Sequence, residues 1–184
     1  MKTKHKVRLV QALYGSIILS LLMAPVGAMG YEAYIWMLFL PLMLFFAFGA
    51  DFKKIPSMIA SYICGIGWAL FNGVISSVLG PVLDPNLLKM IGPMIIVFGV
   101  LTVHENFLGG TILGNVPALF MGLASTFFIF SIVPANASPI TPLHLIAFFL
   151  YGTFMAAVLA GGGFAICSKV FGKETTLKVL MNEV

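Results

Sequence analysis

Few side chains in this sequence can do chemistry, and their spacing limits which chemistry is open to them. His104 and Glu105 are adjacent rather than one helical turn apart, Asp51 stands alone, and Cys64 and Cys167 share no metal or redox spacing. A metalloprotease helix needs two His residues four apart and a hydrolase elbow needs Gly-x-Ser-x-Gly; neither pattern occurs. No enzymatic activity, cofactor or metal is therefore expected. Of the remaining polar groups, Asn72 is the one amide well inside an apolar stretch, on a helical stripe with Gly65, Ala69 and Ser76 and flanked by Trp68 and Tyr62. An amide in hydrocarbon is costly unless bonded, so Asn72 faces either another helix or a polar path. Ser125 lies at matching depth in a later stretch, which the turn Asn115-Val116-Pro117 opens. Gly65, Trp68, Asn72, Ser76, Asn115, Pro117 and Ser125 are the candidate pathway residues, and Asp51, His104 and Glu105 a candidate vestibule.

The elements that must position them are membrane helices. The chain of 184 residues is 60% apolar and 9% charged, with a mean hydropathy of +1.08, which leaves too little polar surface to cover a soluble globule. Six apolar stretches, at 7–29, 31–50, 55–79, 88–103, 115–133 and 143–170, consume most of the chain and predict an all-α, single-domain bundle of six transmembrane helices. The first follows a Lys-rich segment, as in a secretory signal. Its apolar part exceeds the usual length, however, and five spans follow it, so a retained signal-anchor helix is expected.

Charge supplies the threading. Lys2, Lys4, Lys6 and Arg8 precede span one, Lys53 and Lys54 follow span two, and Lys169, Lys173 and Lys178 follow span six; only Lys89 falls at the opposite end. The positive-inside tendency then predicts both termini in the cytoplasm. The pI of 9.2 follows from this anchoring, and nucleic-acid binding is not implied. His104 and His144 fall on opposite sides, which argues against joint ligation of a haem or metal.

Spans two to five contain two similar hairpins. Pro41 and Pro93 lie inside the first helix of each, while Pro56 and Pro117 open the second, so a parallel duplication or a coincidence of membrane prolines fits equally. The second hairpin carries a longer connection, 104–114, with Gly109, Gly110 and Gly114. It is too apolar for a solvated loop and too short to span, hence either re-entrant or an interfacial turn. An uncharged external loop is expected at 134–142.

Small residues recur at four-residue intervals, Ala12, Ser16, Ser20 and Ala24 in span one and Gly152, Ala156 and Ala160 in span six. Such faces let helices approach closely, within a chain or between subunits. No Asp, Glu, Lys or Arg lies near the centre of any span, which counts against ion-coupled pumping.

Gly65-Ile66-Gly67-Trp68-Ala69, the run from Val116 to Phe127 and the Gly-rich sixth span resemble a family of small bacterial inner-membrane proteins of unknown function, DUF1097. The resemblance implies that membrane and carries no activity or functional residues with it. The sequence leads to a channel-like facilitator for a small neutral or weakly charged solute, embedded in the lipid bilayer as a homo-oligomer. The alternative is a non-transporting subunit or scaffold docking partners through its small-residue faces.

Overall fold

The computed structural model describes residues 3–131 and 137–181, and within them every regular element is helical. Helix α1 (Thr3–Ala28) ends at Gly30, whose φ of +83° only glycine adopts cheaply. A 3-10 stretch, Glu32–Leu38, leads into α2 (Phe39–Ala47), and a short 3-10 turn, Phe52–Lys54, into α3 (Ile55–Leu79). Helix α4 (Pro85–Val100) continues as a π-helical turn, Leu101–Phe107. Then come α5 (Val116–Ser131), α6 (Pro142–Phe171) and the short α7 (Lys173–Leu180). Residues 132–136 of the expected fifth span and external loop lie outside the described residues.

Among the described residues, four stretches are long and apolar enough to cross a membrane: Thr3–Ala28, Phe52–Leu79, Pro85–Phe107 and Pro142–Phe171. The second and fifth sequence stretches form shorter apolar helices, Glu32–Ala47 and Val116–Phe130. Chain chemistry explains the shortening of the second. After Ala47 the backbone enters positive φ at Gly49 (71°) and Ala50 (58°), and the Ala50 N–H closes the helix end on the Phe45 carbonyl.

The most extensive helix contact joins α3 to α5, which run parallel. An added Cβ at Gly65 would strike the Leu119 carbonyl oxygen and sit 2.8 Å from the Leu123 nitrogen. One at Gly122 would strike the Tyr62 carbonyl oxygen and sit 3.2 Å from the Ile66 nitrogen. The contact is reciprocal, each glycine admitting the other helix's backbone. That register makes Leu113, not Pro117, the counterpart of Pro56, so the two similar prolines are one turn out of step.

Around this pair, α4 runs back along α3, with Gly92 against Asn72 and Gly99 against the Trp68 ring. Helix α6 lies across the other side, where Tyr62 and Phe149 stack at 3.8 Å and Gly152 meets Leu38 and Pro41. Helix α1 is peripheral and antiparallel to α6, tied by Tyr14 to the Val158 carbonyl (3.1 Å) and Tyr151 to the Leu22 carbonyl (2.8 Å). The large ring of Tyr14 seated over Gly162 and Gly163 makes that contact. The small-residue stripe of α1 does not: Ala12, Ser16, Ser20 and Ala24 are exposed. On α6, Gly152 and Ala156 are buried and Ala160 partly so, against the α2 side.

These directions gather Lys4, Lys6, Arg8, Lys53, Lys54, Lys169, Lys173 and Lys178 at one end of the bundle and leave Lys89 at the other. At the basic end α7 packs Val179 against Val7 and Cys167. Its exposed Glu174 bonds Lys178 at 2.7 Å, which holds the carboxyl below the usual carboxylate range.

Replacing Gly65 or Gly122 by Ala is expected to destabilise the protein by about 1–3 kcal/mol through backbone overpacking. Gly73→Ala, where an added Cβ meets nothing within 4 Å, should be neutral or slightly stabilising. Thermal unfolding in detergent compares the three; equal stability of Gly65→Ala and Gly73→Ala would contradict the crossing.

Candidate functional site

The polar side chains of the bundle converge where the connection between α4 and α5 folds back along α3. Ser57, Ser61 and Trp68 occupy one side of α3, and each holds part of this connection. The Trp68 indole N–H donates to His104 Nε2 at 3.0 Å, while His104 Nδ1 lies 2.8 Å from the Leu113 carbonyl oxygen. An indole only donates and a carbonyl only accepts, so the two contacts require the neutral imidazole with its hydrogen on Nδ1. Two turns lower, the Ser61 hydroxyl donates to the Ile112 carbonyl (3.3 Å) and accepts from the Asn115 N–H (3.1 Å). Lower still, Asn115 Nδ2 donates to Ser57 Oγ (3.3 Å), and its Oδ1 caps α5 by accepting the Ala118 N–H (3.2 Å).

Trp68 sits near the middle of α3 and Ser57 in its first turn. Between His104 and Asn115 the chain therefore descends about 16 Å along α3 at ~1.5 Å per residue. It does so without α-helix, beginning in the π-helical turn, a form that often marks functional sites. Its backbone is nonetheless well satisfied. Leu108 N–H bonds the Val103 carbonyl, Thr111 N–H the Leu108 carbonyl, Gly114 N–H the Thr111 carbonyl and Leu113 N–H the Thr111 hydroxyl. Non-helical backbone at such depth needs this kind of satisfaction or a cavity beside it.

The segment has both. A polar cavity of about 220 Å³ lies between it and the start of α3, lined by Lys54, Ser57, Gly109, Thr111, Asn115 and Pro117 among others. A second, apolar groove of about 700 Å³ runs along α5 from Pro117 to Ile129, walled on the other side by Tyr34, Trp36 and Leu40. Pro117 lines both. The groove's one polar α5 lining residue, Ser125, donates to the Met121 carbonyl (2.7 Å) and so accepts from the Tyr62 hydroxyl at 2.9 Å.

The expected pathway residues thus fall into separate places. Asn115, Pro117 and Ser125 line the two cavities, and Trp68 is bonded to His104. Gly65 lies in the α3–α5 crossing, away from either cavity. Asn72 faces α4, its Oδ1 buried against Gly92 without a hydrogen-bond partner, and Ser76 lies one turn further along α3, lining neither cavity. Of the vestibule residues, His104 is 3% exposed and Glu105 is exposed. Asp51 accepts the Lys53 N–H (2.9 Å) to start the turn before α3. His144 caps α6, its Nδ1 accepting the Thr141 N–H (3.0 Å) and its Nε2 meeting the Tyr31 hydroxyl (3.2 Å). Sequence reasoning missed Ser57, Ser61 and Thr111 as site residues. The four-residue spacing of Ser57 and Ser61 was a signal of one polar face at the start of α3.

Asn115→Ala is expected to cost about 1 kcal/mol by removing the α5 cap, whereas Asn115→Asp should keep most of that stability. Denaturation of both variants in the same detergent checks the difference.

No curated protein and no solved structure matches the chain. Residues 13–173 match the model of a family described as a protein of unknown function, DUF1097, and the chain belongs to that family.

Proposed function

We propose that this multi-pass protein is a facilitator for a small neutral or weakly charged solute, whose route follows α5. The observation that carries the proposal is the sharing of Pro117 between the polar cavity at the basic end and the apolar groove above it. Together they extend from Lys54 and Thr111 to Ile129, about 18 Å of it along α5 alone at ~1.5 Å per residue. Neither α3 nor α5 carries Asp, Glu, Lys or Arg. An apolar wall cannot replace an ion's hydration, which favours solutes that shed water cheaply. The groove is open along one side, so a second copy in a homo-oligomer would complete its wall.

The reading includes six crossings, with both termini cytoplasmic, in a bacterial inner membrane. Its support is geometric and electrostatic. Seven 3-10 residues and nine α-helical residues in Glu32–Ala47 reach about 27 Å at ~2.0 and ~1.5 Å per residue. This approaches the roughly 30 Å hydrocarbon core despite the short sequence. The basic end then faces the cytoplasm. Reporters fused at the C-terminus are expected to be active only in the cytoplasmic form; a C-terminal reporter active only outside would refute the six crossings.

The alternative, a non-transporting subunit, is favoured by the exposed stripe Ala12, Ser16, Ser20 and Ala24, which none of the described residues covers. Purified protein in liposomes separates the two. Flux of at least one of urea, ammonia, glycerol, short carboxylic acids or water is expected, and Ala124→Trp, which fills the groove from an exposed α5 position, should abolish it without lowering yield. Absence of flux for the whole panel, with one stoichiometric partner co-purifying from native membrane, would select the subunit.

A further inference from the structure

The Trp68–His104–Leu113 chain of hydrogen bonds holds the segment that lines the polar cavity, and its chemistry depends on one proton. His104 accepts at Nε2 and donates at Nδ1. A second proton, on Nε2, would set an imidazolium N–H against the Trp68 indole N–H, two donors facing one another. The bond between them would be lost. The new charge would also sit on a ring that is 3% exposed, where an uncompensated charge is strongly unfavourable.

Nothing on the packed elements offers that charge a counter-ion. From Ile55 to Leu79 the ionisable side chains of α3 are Tyr62, which is bonded to Ser125, and Cys64; α5 has none from Val116 to Ser131. Helix α4 carries only Lys89, at its far end, and Lys89 is itself a cation. Within the segment, Glu105 is exposed rather than turned to the ring. Protonation is relieved most simply by carrying His104 toward water. That movement pulls on Leu113, and with it on the Thr111–Asn115 turn that forms one wall of the cavity.

We propose that His104 is a proton-operated latch: neutral, it pins residues 104–115 against α3 and narrows the polar cavity; protonated, it releases them. The latch rests on the reading of this cavity as the mouth of a solute route, since it adds regulation to that mouth. The π-helical turn that carries His104 suits such a role, because its wider hydrogen-bond register can revert to α-helix as the segment moves. Release of Trp68 is the local event, and it can be read whether or not any solute passes.

The test uses the full chain in lipid nanodiscs with Trp36→Phe, which leaves Trp68 as the single tryptophan. Acidification between about pH 8 and about pH 5, the range that brackets imidazole titration, is expected to red-shift Trp68 emission and to increase its quenching by acrylamide, reversibly. His104→Gln offers an acceptor and a donor but does not titrate, and adding it should remove the pH response while preserving emission at the alkaline limit. In liposomes, flux of the permeant solute should rise on acidification in the protein with Trp36 intact and become pH-independent when His104→Gln is the sole substitution. An emission response that is absent from the parent, or that persists unchanged in His104→Gln, overturns the latch. An emission response lost in His104→Gln, combined with no flux for any solute, supports the latch and refutes the facilitator.

Discussion

The contact of α3 with α5 at Gly65 and Gly122 is the constraint to which the rest of the bundle conforms. Each glycine takes the other helix's backbone where a side chain would stand, so the two parallel helices meet without a layer of side chains between them. In lipid, where apolar side chains gain nothing by leaving the bilayer for a neighbour, close backbone packing is one of the few sources of association energy. The depth of the crossing also puts Tyr62 in place to stack on Phe149 and to bond Ser125. One glycine pair therefore sets the spacing of three helices, α3, α5 and α6.

Parallel neighbours need a return path, and that requirement produces the candidate site. The chain leaves the top of α3, comes back as α4, and must still reach the bottom of α5. Helix α4 and its π-helical turn bring it only as far as Trp68. The remaining distance is covered by non-helical chain, whose polar groups are satisfied by Ser57, Ser61, Trp68 and its own turns. Chain left outside helices by this geometry leaves room beside it, and that room is the polar cavity. The groove above has a related origin, since the 3-10 stretch before α2 lies across from α5 without filling the space along it.

Several features were legible in the residues alone. Apolar length marked six helical stretches, four of them long enough to cross a membrane, and the basic clusters marked the end of the bundle at which the cations collect, because hydropathy and charge act on each stretch separately. The apolar, glycine-rich character of 104–114 marked an unusual connection for the same local reason. The prolines, however, suggested a repeat register that the glycine contact does not share, because proline affects only its own helix whereas register is decided between helices.

What only the tertiary structure decided is which polar groups meet. Trp68 and His104, or Ser61 and Asn115, are far apart in sequence and carry no mutual spacing that could reveal them. Their pairing depends on where α4 ends relative to α3, a distance set by packing. The α1 stripe shows the same limit from the other side: four-residue spacing proves a common face, and the face is real, but the seat over Gly162 and Gly163 accepts Tyr14 and turns that stripe outward. Periodicity determined that faces exist; the choice between competing faces required the complementary shape of the neighbouring helix.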